Sequence, residues 1–434
     1  MRDLLVSAIV LASLPVIVFW RPYVGALMWV WISMMSPHRL TYGFAFDFPF
    51  AMIIAIATLV GLVFAKQRKN LPMTQITGLM FAFVAWISIT SLFALQPPDP
   101  VYGVWSQVMK TQLMLFVTMM LIRGRKQIDQ LIWAIVISVG FFGVKGGIWT
   151  ILTGGVDRVW GPPGTFIEGN NELGLALAML LPLMYYLAAT TPSKWIKYAL
   201  WGSIASCAFS ILGTHSRGAF LAIGVAAVFL GVKSGRPIVA TALLVVGLAG
   251  AVMFMPDNWT SRMETIETYE TDVSAVSRLQ TWEAIWKMAL DRPIFGAGFD
   301  FPSSPAFEAY SPSNYFGVFA PHSIYFQVLG EHGFVGLALY LALGVSIWRR
   351  CRKLSLASAS QPDLHWVPIL MRIVQVSLLV FATGGAFLGL LHYDLPYYLA
   401  VIVVLAEVAI TKTKTSSAPR GSRPVAPSMG TGNV

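Results

Sequence analysis

Residues 173–189, LGLALAMLLPLMYYLAA, and residues 237–255, PIVATALLVVGLAGAVMFM, decide the fold class of this chain. Both runs are almost continuously apolar and approach the roughly 20 residues that an α-helix needs to cross a bilayer. Strands of a membrane β-barrel would instead alternate apolar and polar residues over about ten positions. A helix also satisfies its own backbone hydrogen bonds in lipid. The two runs therefore predict an all-α polytopic membrane protein.

Similar runs recur along the whole chain, which has 434 residues, of which 56% are hydrophobic and 12% charged. They predict about twelve membrane spans. The expected spans lie near residues 4–20, 45–65, 75–95, 106–122, 127–149, 172–190, 197–213, 217–232, 237–256, 323–348, 366–390 and 395–411. Pro22 and Pro37 bracket a shorter apolar stretch. We expect residues 22–37 to be re-entrant or interfacial, because a full crossing would move every later basic cluster to the opposite face.

Basic clusters set the orientation of the predicted spans, since short cytoplasmic loops collect Lys and Arg. Such clusters begin at Lys66, Arg123, Lys194, Lys233 and Arg349, and an even number of predicted spans separates each neighbouring pair. Both termini are then expected to be cytoplasmic. The predicted layout is a transmembrane bundle over residues 1–256, an outer loop over 257–321, C-terminal transmembrane helices over 322–411 and a disordered cytoplasmic tail over 412–434.

Composition excludes several classes of function. The formal net charge of +10 is explained by the basic cytoplasmic clusters, and no soluble segment combines a basic face with interleaved aromatic residues, so nucleic acid is not an expected partner. The chain carries no P-loop or dinucleotide-binding fingerprint that would power a pump. Its two cysteines, Cys207 and Cys351, are too few for a disulfide framework and are expected to be packing residues.

The predicted outer face holds three polar elements. Residues 157–172, DRVWGPPGTFIEGNNE, place charged and amide groups among turn-forming Gly and Pro residues. Residues 214–217, Thr-His-Ser-Arg, form a polar turn between two spans. In the outer loop, apolar positions recur at intervals of three and four and predict an amphipathic helix lying along the interface. These positions are Val276, Leu279, Trp282, Trp286 and Ala289.

Four stretches resemble a known family. They are GTFIEGNNELGLALAMLLPL from residue 164, SRGAFL from 216, RLQTWEAIWKMALDRPIFGAGFD from 278 and HSIYFQVLGEHGFVG from 322. In this order they resemble the O-antigen ligase and O-antigen polymerase superfamily. The N-terminal half and the wording GPPGTFIEGNNELGLAL are most similar to the exosortase-associated O-glycosylation ligases. The resemblance covers most of the chain and is strongest from about residue 161 to residue 336.

The resemblance implies a GT-C-like glycosyltransferase in the bacterial inner membrane, with its active site and the loop 257–321 on the periplasmic side. Its implied reaction transfers a glycan from undecaprenyl diphosphate to an acceptor, without a nucleotide sugar or other cofactor. We expect an O-antigen ligase whose acceptor is lipid A-core. A polymerase, a protein O-glycosylation ligase and, in a different class, a flippase for the lipid-linked glycan are the alternatives.

Arg217 and His322 are the expected catalytic residues. Loss of a lipid diphosphate leaves negative charge, and the planar guanidinium of Arg217 can bind phosphate oxygens bidentately without losing its proton. His322 can act as the general base on an acceptor hydroxyl near neutral pH. Each residue also has a structural interpretation: Arg217 as a headgroup anchor at the end of a span, and His322 as part of a helix start after Pro321.

Further residues complete the predicted site. Arg278 ranks next, because it matches the loop arginine of the family. The remaining predicted substrate-binding residues are Arg158, His215, Lys145, Asn170 and Asn171. His332 is expected to be structural. We expect no metal, although the carboxylates Glu264, Glu267, Glu270 and Asp272 leave metal-dependent catalysis as the less favoured alternative, since a solvated helix face explains their spacing.

Overall fold

A computed structural model describes residues 1–65, 70–233, 273–310 and 320–417. These residues form helices joined by turns and loops. The α-helices are α1 Arg2–Pro15, α2 Tyr23–Val30, α3 Phe50–Phe64, α4 Gln75–Ser91, α5 Pro98–Leu121, α6 Gly124–Leu152, α7 Asn170–Thr190, α8 Lys194–Gly213, α9 Arg217–Lys233, α10 Val273–Asp291, α11 Pro305–Glu308, α12 Ile324–Ser358, α13 Trp366–Gly384 and α14 Asp394–Ser417. The prediction of an all-α protein is confirmed for the described part of the chain.

Seven helical segments in the described residues are long and apolar enough to cross a membrane. They are Arg2–Trp20, Gly124–Leu152, Asn170–Thr190, Lys194–Gly213, Ile324–Ser358, Pro362–Phe387 and Asp394–Thr411. Four shorter apolar helices accompany them. The chain is therefore a polytopic helical membrane protein, whereas the count of about twelve spans stays a prediction.

Helix α7 lies at the centre of the bundle and packs against α6, α8, α9 and α13. Small residues allow the close contacts that membrane helices use in place of a hydrophobic driving force. At Gly147 of α6, an added β-carbon would overlap the carbonyl oxygen of Ser206 in α8. Ser377 of α13 donates a hydrogen bond to the carbonyl of Met179 in α7, at 2.9 Å. These contacts fix the helices that carry the candidate site.

The two ends of α6 lie about 40 Å apart along its axis, given a rise of about 1.5 Å per residue. Near its first residues, Asp129 accepts a 2.7 Å hydrogen bond from the hydroxyl of Tyr186, close to the end of α7. Near its last residues, Gly146 approaches Val159 of the outer segment. We call these the Asp129 end and the Val159 end of the bundle. Of the predicted basic clusters, those that begin at Arg123 and Lys194 lie at the Asp129 end.

The path of residues 22–37 is described at both of its ends. Arg21 lines a cavity with Arg123 at the Asp129 end. The side chain of Arg39 lies 3.9 Å from the position that a β-carbon of Gly164 would take, at the Val159 end. Helix α2 and the π-helical turn Trp31–Met35 therefore run from one end of the bundle to the other. That residues 22–37 are re-entrant or interfacial stays a prediction.

The N-terminus lies with the Val159 end. The guanidinium of Arg2 donates to the carbonyl of Leu40 at 3.2 Å, and the carboxylate of Asp3 accepts from the backbone N–H groups of Gly43 and Ala45 at 3.1 and 3.2 Å. Leu40 itself lines a cavity with residues of the outer segment. Helix α1 thus starts at the end where the sequence analysis placed the outer face.

Helix α12 is broken at Gly333, whose φ of +67° lies in the left-handed region that favours glycine. The break leaves carbonyl groups available for partners outside the helix. The backbone N–H groups of Ala297 and Gly298 donate to the carbonyls of Gly330 and Glu331, at 2.8 and 2.9 Å. Residues 293–298 follow α10. These hydrogen bonds therefore connect the segment after α10 to α12, the helix that begins directly after His322.

Several predictions fall outside the described residues. They concern the span 237–256, the carboxylates Glu264, Glu267, Glu270 and Asp272, and the tail beyond residue 417. They stay predictions.

Candidate functional site

Arg217 is the first residue of α9, directly after a buried turn. The hydroxyl of Ser216 accepts from the backbone N–H of Ala219 at 3.3 Å and caps the helix. The half-buried guanidinium of Arg217 therefore stands at a helix N-terminus, where the backbone dipole adds positive potential. This arrangement suits an anion.

Two predicted substrate residues hold this turn in place. The amide nitrogen of Asn170 donates to the carbonyl of Thr214 at 2.7 Å and is buried. The Nε2 atom of His215 lies 3.0 Å from the carbonyl of Gly155, and since a carbonyl only accepts, Nε2 carries the proton. Asn170 and His215 were predicted to bind substrate, and these side-chain nitrogens instead hold the turn that precedes Arg217.

His322 lies just outside α12. Ser323 is the N-cap, and its hydroxyl accepts from Phe326 at 3.5 Å, so the helix start does not need the imidazole. His322 adopts a φ of +45°, a left-handed conformation that is uncommon for a residue with a side chain and clusters at functional sites. Its side chain is half-buried.

Helix α10 packs directly on the His322 segment. The indole N–H of Trp282 donates to the carbonyl of Pro321 at 2.7 Å. The same ring stacks on Phe326 of α12, with centroids 5.0 Å apart and an interplanar angle of 6°. Arg278 lies one helical turn before Trp282 and therefore on the same face of α10. The predicted amphipathic helix is thus anchored on the site by its tryptophan face.

Burial lowers the pKa of His322 below the ordinary 6.5, and the positive charge of Arg278 lowers it further. Arg278 also lies within electrostatic range of Glu172, in the first turn of α7. Arg278 therefore acts electrostatically on both a carboxylate and an imidazole. Burial and the charge of Arg278 together favour the neutral form of His322, which is the state that a general base requires.

The segment Gly384–Gly389 joins the Arg217 and His322 parts of the site. A β-carbon at Gly218, next to Arg217, would lie 3.8 Å from the carbonyl oxygen of Gly384. A β-carbon at Gly389 would lie 4.0 Å from the backbone nitrogen of His322. The structure thus brings Arg217, Arg278 and His322 to one region at the Val159 end, although 105 positions separate the first from the last.

Lys145 and Arg158 line a separate cavity of about 520 Å³. Its wall includes Trp149 and Trp160, both about half exposed. The cavity is linked to the Arg217 turn, because the backbone N–H of Val159 in its wall donates to the carbonyl of Gly213 at 2.9 Å. Of the predicted substrate residues, Lys145 and Arg158 therefore form a second group beside the first. Asn171 lies in the first turn of α7, next to Asn170.

A buried acid–base cluster that was not predicted from the sequence joins α12 to His392, which precedes α14. The carboxylate of Glu331 lies 2.9 Å from Nε2 of His392 and 3.4 Å from Nε2 of His332. Gln327 donates to the same carboxylate at 3.0 Å, and Nδ1 of His332 lies 2.8 Å from the hydroxyl of Thr90. Ionisable residues inside an apolar span are rare and often functional, and that signal is present in the sequence at Glu331, inside the span Ile324–Ser358.

Two family models match different parts of the chain. Residues 1–195 match a family of unknown function, DUF5935. Residues 202–341 match the O-antigen ligase family model. Arg217, Arg278 and His322 all lie inside that match. Over residues 202–341 the protein is therefore similar to the O-antigen ligases. The resemblance found in the sequence is thereby confirmed. No curated protein matches the chain.

Proposed function

We propose that this O-antigen ligase-like protein is a glycosyltransferase that moves a polysaccharide from undecaprenyl diphosphate to lipid A-core at the periplasmic face of the inner membrane. The observation that carries the proposal is the convergence of two arginines and one neutral histidine at the Val159 end of the bundle. Two cations suit a diphosphate leaving group, and a neutral imidazole suits a hydroxyl acceptor.

The proposed reaction is a single inverting displacement without a metal. The acceptor oxygen forms a bond to the anomeric carbon of the first sugar while the bond to the diphosphate oxygen breaks. The electron pair leaves with the diphosphate, whose added negative charge meets Arg217 and Arg278. The proton of the acceptor hydroxyl passes to His322, which later releases it to water. No covalent intermediate with the protein is needed.

The second cavity supports a role in glycan recognition. Lys145 and Arg158 can bind anionic groups, and the exposed rings of Trp149 and Trp160 offer flat apolar faces of the kind that pack against sugar rings. Because Val159 is tied to the turn before Arg217, a glycan in this cavity lies next to the proposed reaction centre. His215, Asn170 and Asn171 would serve substrate binding by holding this outer segment.

Reconstitution tests the proposal directly. The full chain is placed in liposomes with a purified undecaprenyl-diphosphate glycan and, in separate reactions, lipid A-core, a second lipid-linked glycan or an acceptor protein. Product on lipid A-core supports the ligase, and product on either other acceptor identifies a polymerase or a protein O-glycosylation ligase. His322→Ala is expected to abolish product while donor binding persists. Product within a few-fold of wild type in this variant would remove His322 from the mechanism.

A flippase for the lipid-linked glycan is the second candidate, and the cluster of Glu331, His332 and His392 is the observation that favours it. Transporters use ionisable groups at membrane depth to bind or gate cargo. Here, however, the three side chains are at least 92% buried, and both imidazoles lie within 3.4 Å of the Glu331 carboxylate. The same liposomes distinguish the two functions, since a flippase moves donor between leaflets without forming product.

A further inference from the structure

The Asp129 end of the bundle contains a cavity of about 690 Å³, remote from His322. Three cationic side chains line it: Arg21 after the π-helical turn Val16–Trp20, Arg123 before α6, and Lys126 in the first turn of α6. Gln127 and Gln130 add amide groups. The cavity therefore combines several hydrogen-bond donors with a concentrated positive charge.

The local fold explains how these cations come together. Helix α3 packs closely on the end of the first helix, since a β-carbon at Gly61 would overlap the carbonyl oxygen of Ile17. The backbone N–H of Arg123 donates to the side-chain oxygen of Gln127 at 2.6 Å, so the amide NH₂ of Gln127 stays a donor toward other groups. The N-terminus of the 29-residue helix α6 adds its dipole to the same place.

None of the described residues that line the cavity is acidic. The neighbouring Arg125 provides a contrast on another face of α6. Its guanidinium lies 3.6 Å from the carboxylate of Asp129 and 5.8 Å from the centre of the Trp366 ring. The charge of Arg125 is thus balanced by the Asp129 carboxylate. The side chains of Arg21, Arg123 and Lys126 instead line the open cavity. A negatively charged ligand matches that space.

The other half of the cavity wall is apolar. Its members are Val18, Phe19, Leu62, Phe64, Met120 and Leu121. Trp20 and Tyr23, at the same rim, are the residue types that favour the boundary between headgroups and acyl chains. A ligand that fits both halves has an anionic head and an apolar tail. Basic pockets between membrane helices bind phospholipid headgroups in this way.

We propose that this cavity binds an anionic glycerophospholipid from the leaflet opposite to His322. Its phosphate lies among Arg21, Arg123 and Lys126, and an acyl chain lies against Phe64 and Leu121. All lining residues fall within residues 1–195, so the proposal assigns a ligand site to the part of the chain that matches a family of unknown function. It does not depend on the proposed ligase reaction.

Lipid retention by the purified full-length protein tests the site. The protein is delipidated in mild detergent and mixed with limiting phosphatidylglycerol or phosphatidylcholine, and bound lipids are counted by native mass spectrometry. The double variant Arg21→Gln with Lys126→Gln removes two exposed cations of the cavity. We expect wild type to prefer phosphatidylglycerol and the variant to bind it roughly tenfold or more weakly.

The matched control is Lys194→Gln with Lys197→Gln, which removes two exposed cations at the same end of the bundle but outside the cavity. It should retain phosphatidylglycerol like wild type. Glycerophosphate, which has the headgroup charge without acyl chains, should not displace the lipid. Equal binding of both phospholipids, equal loss in the two double variants, or full displacement by glycerophosphate overturns the proposal. If the cavity variant unfolds at a lower temperature than wild type, each single variant should still weaken binding several-fold.

Discussion

At the scale of single residues, the pair of Arg278 and His322 makes a prediction about pH. Burial, and then the charge of Arg278, lower the pKa of His322 below 6.5. An imidazole can accept a proton only when it is neutral. The value of kcat/KM should therefore rise with pH, and the midpoint of this rising limb should lie below pH 6.5. Arg278→Gln removes a positive charge, which raises the pKa of His322, so the limb should move to higher pH.

Initial rates from pH 4.5 to 8 at limiting donor measure this shift. Arg278→Gln is also expected to lower the plateau, because a cation near the leaving group is lost. The pH at the midpoint of the limb and the rate at the plateau are measured separately. A lower plateau with an unmoved limb would mean that Arg278 acts on the donor alone and leaves His322 untouched.

Arg217→Lys should lose roughly tenfold to a hundredfold in kcat/KM although the charge is retained. A point ammonium cannot reproduce two parallel hydrogen bonds to a phosphate, each of which contributes about 1.5–3 kcal/mol when charged. Arg158→Lys is the matched control at the same end of the bundle and should change the rate by less. Full activity in Arg217→Lys together with inactive Arg217→Ala would reduce the role of Arg217 to general electrostatics.

The residue types of the candidate site could be predicted from the sequence. The hydrogen-bond partner of each side chain could not. Arg217 and His322 could be proposed because each has a chemistry that phosphate or hydroxyl groups require, and their catalytic roles stay predictions. Asn170 and His215 offer the same kind of polar atoms, yet the fold uses them for Thr214 and Gly155. Which polar groups remain for substrate depends on backbone carbonyls that come close only after folding.

At the scale of elements, the break in α12 is a test of how the site is assembled. Gly333→Ala places a β-carbon against the carbonyl oxygen of Ile294 and forces a left-handed φ on alanine. The variant should lower stability by about 2–4 kcal/mol and loosen residues 293–298. Gly344→Ala is the control in the same helix, because a β-carbon there meets no atom within 4 Å. It should be neutral or slightly stabilising.

Thermal unfolding in detergent compares the two alanine variants, and protease digestion after α10 reports the loosening. Equal unfolding temperatures for Gly333→Ala and Gly344→Ala would show that the contact between Ile294 and the helix break is dispensable. The sequence could not reveal this element. Residues 330, 333 and 336 are glycines in the sequence, but only the folded chain shows that the segment after α10 packs against this stretch.

At the scale of the whole molecule, the apolar runs predicted the helical bundle because crossing a bilayer demands them. The path between Pro22 and Pro37 was beyond the sequence. The bias of Lys and Arg toward the cytoplasmic side determines which basic clusters share a membrane face. It does not determine how many crossings precede the first cluster, because the N-terminus can lie on either side. In the structure, the contacts of Arg2 and Asp3 with residues 40–45 place the N-terminus at the Val159 end of the bundle.

Cysteine labelling gives the last prediction. Tyr42→Cys lies at the Val159 end and is 92% exposed in its native form, so an impermeant maleimide should label it from outside in spheroplasts. Arg21→Cys and the control Trp195→Cys lie at the Asp129 end and should react only after the membrane is opened. The natural Cys207 and Cys351 are fully buried and should stay unlabelled. If Arg21→Cys reacts from outside together with Tyr42→Cys, residues 22–37 turn back within the membrane, the N-terminus lies inside, and the lipid cavity faces the wrong leaflet.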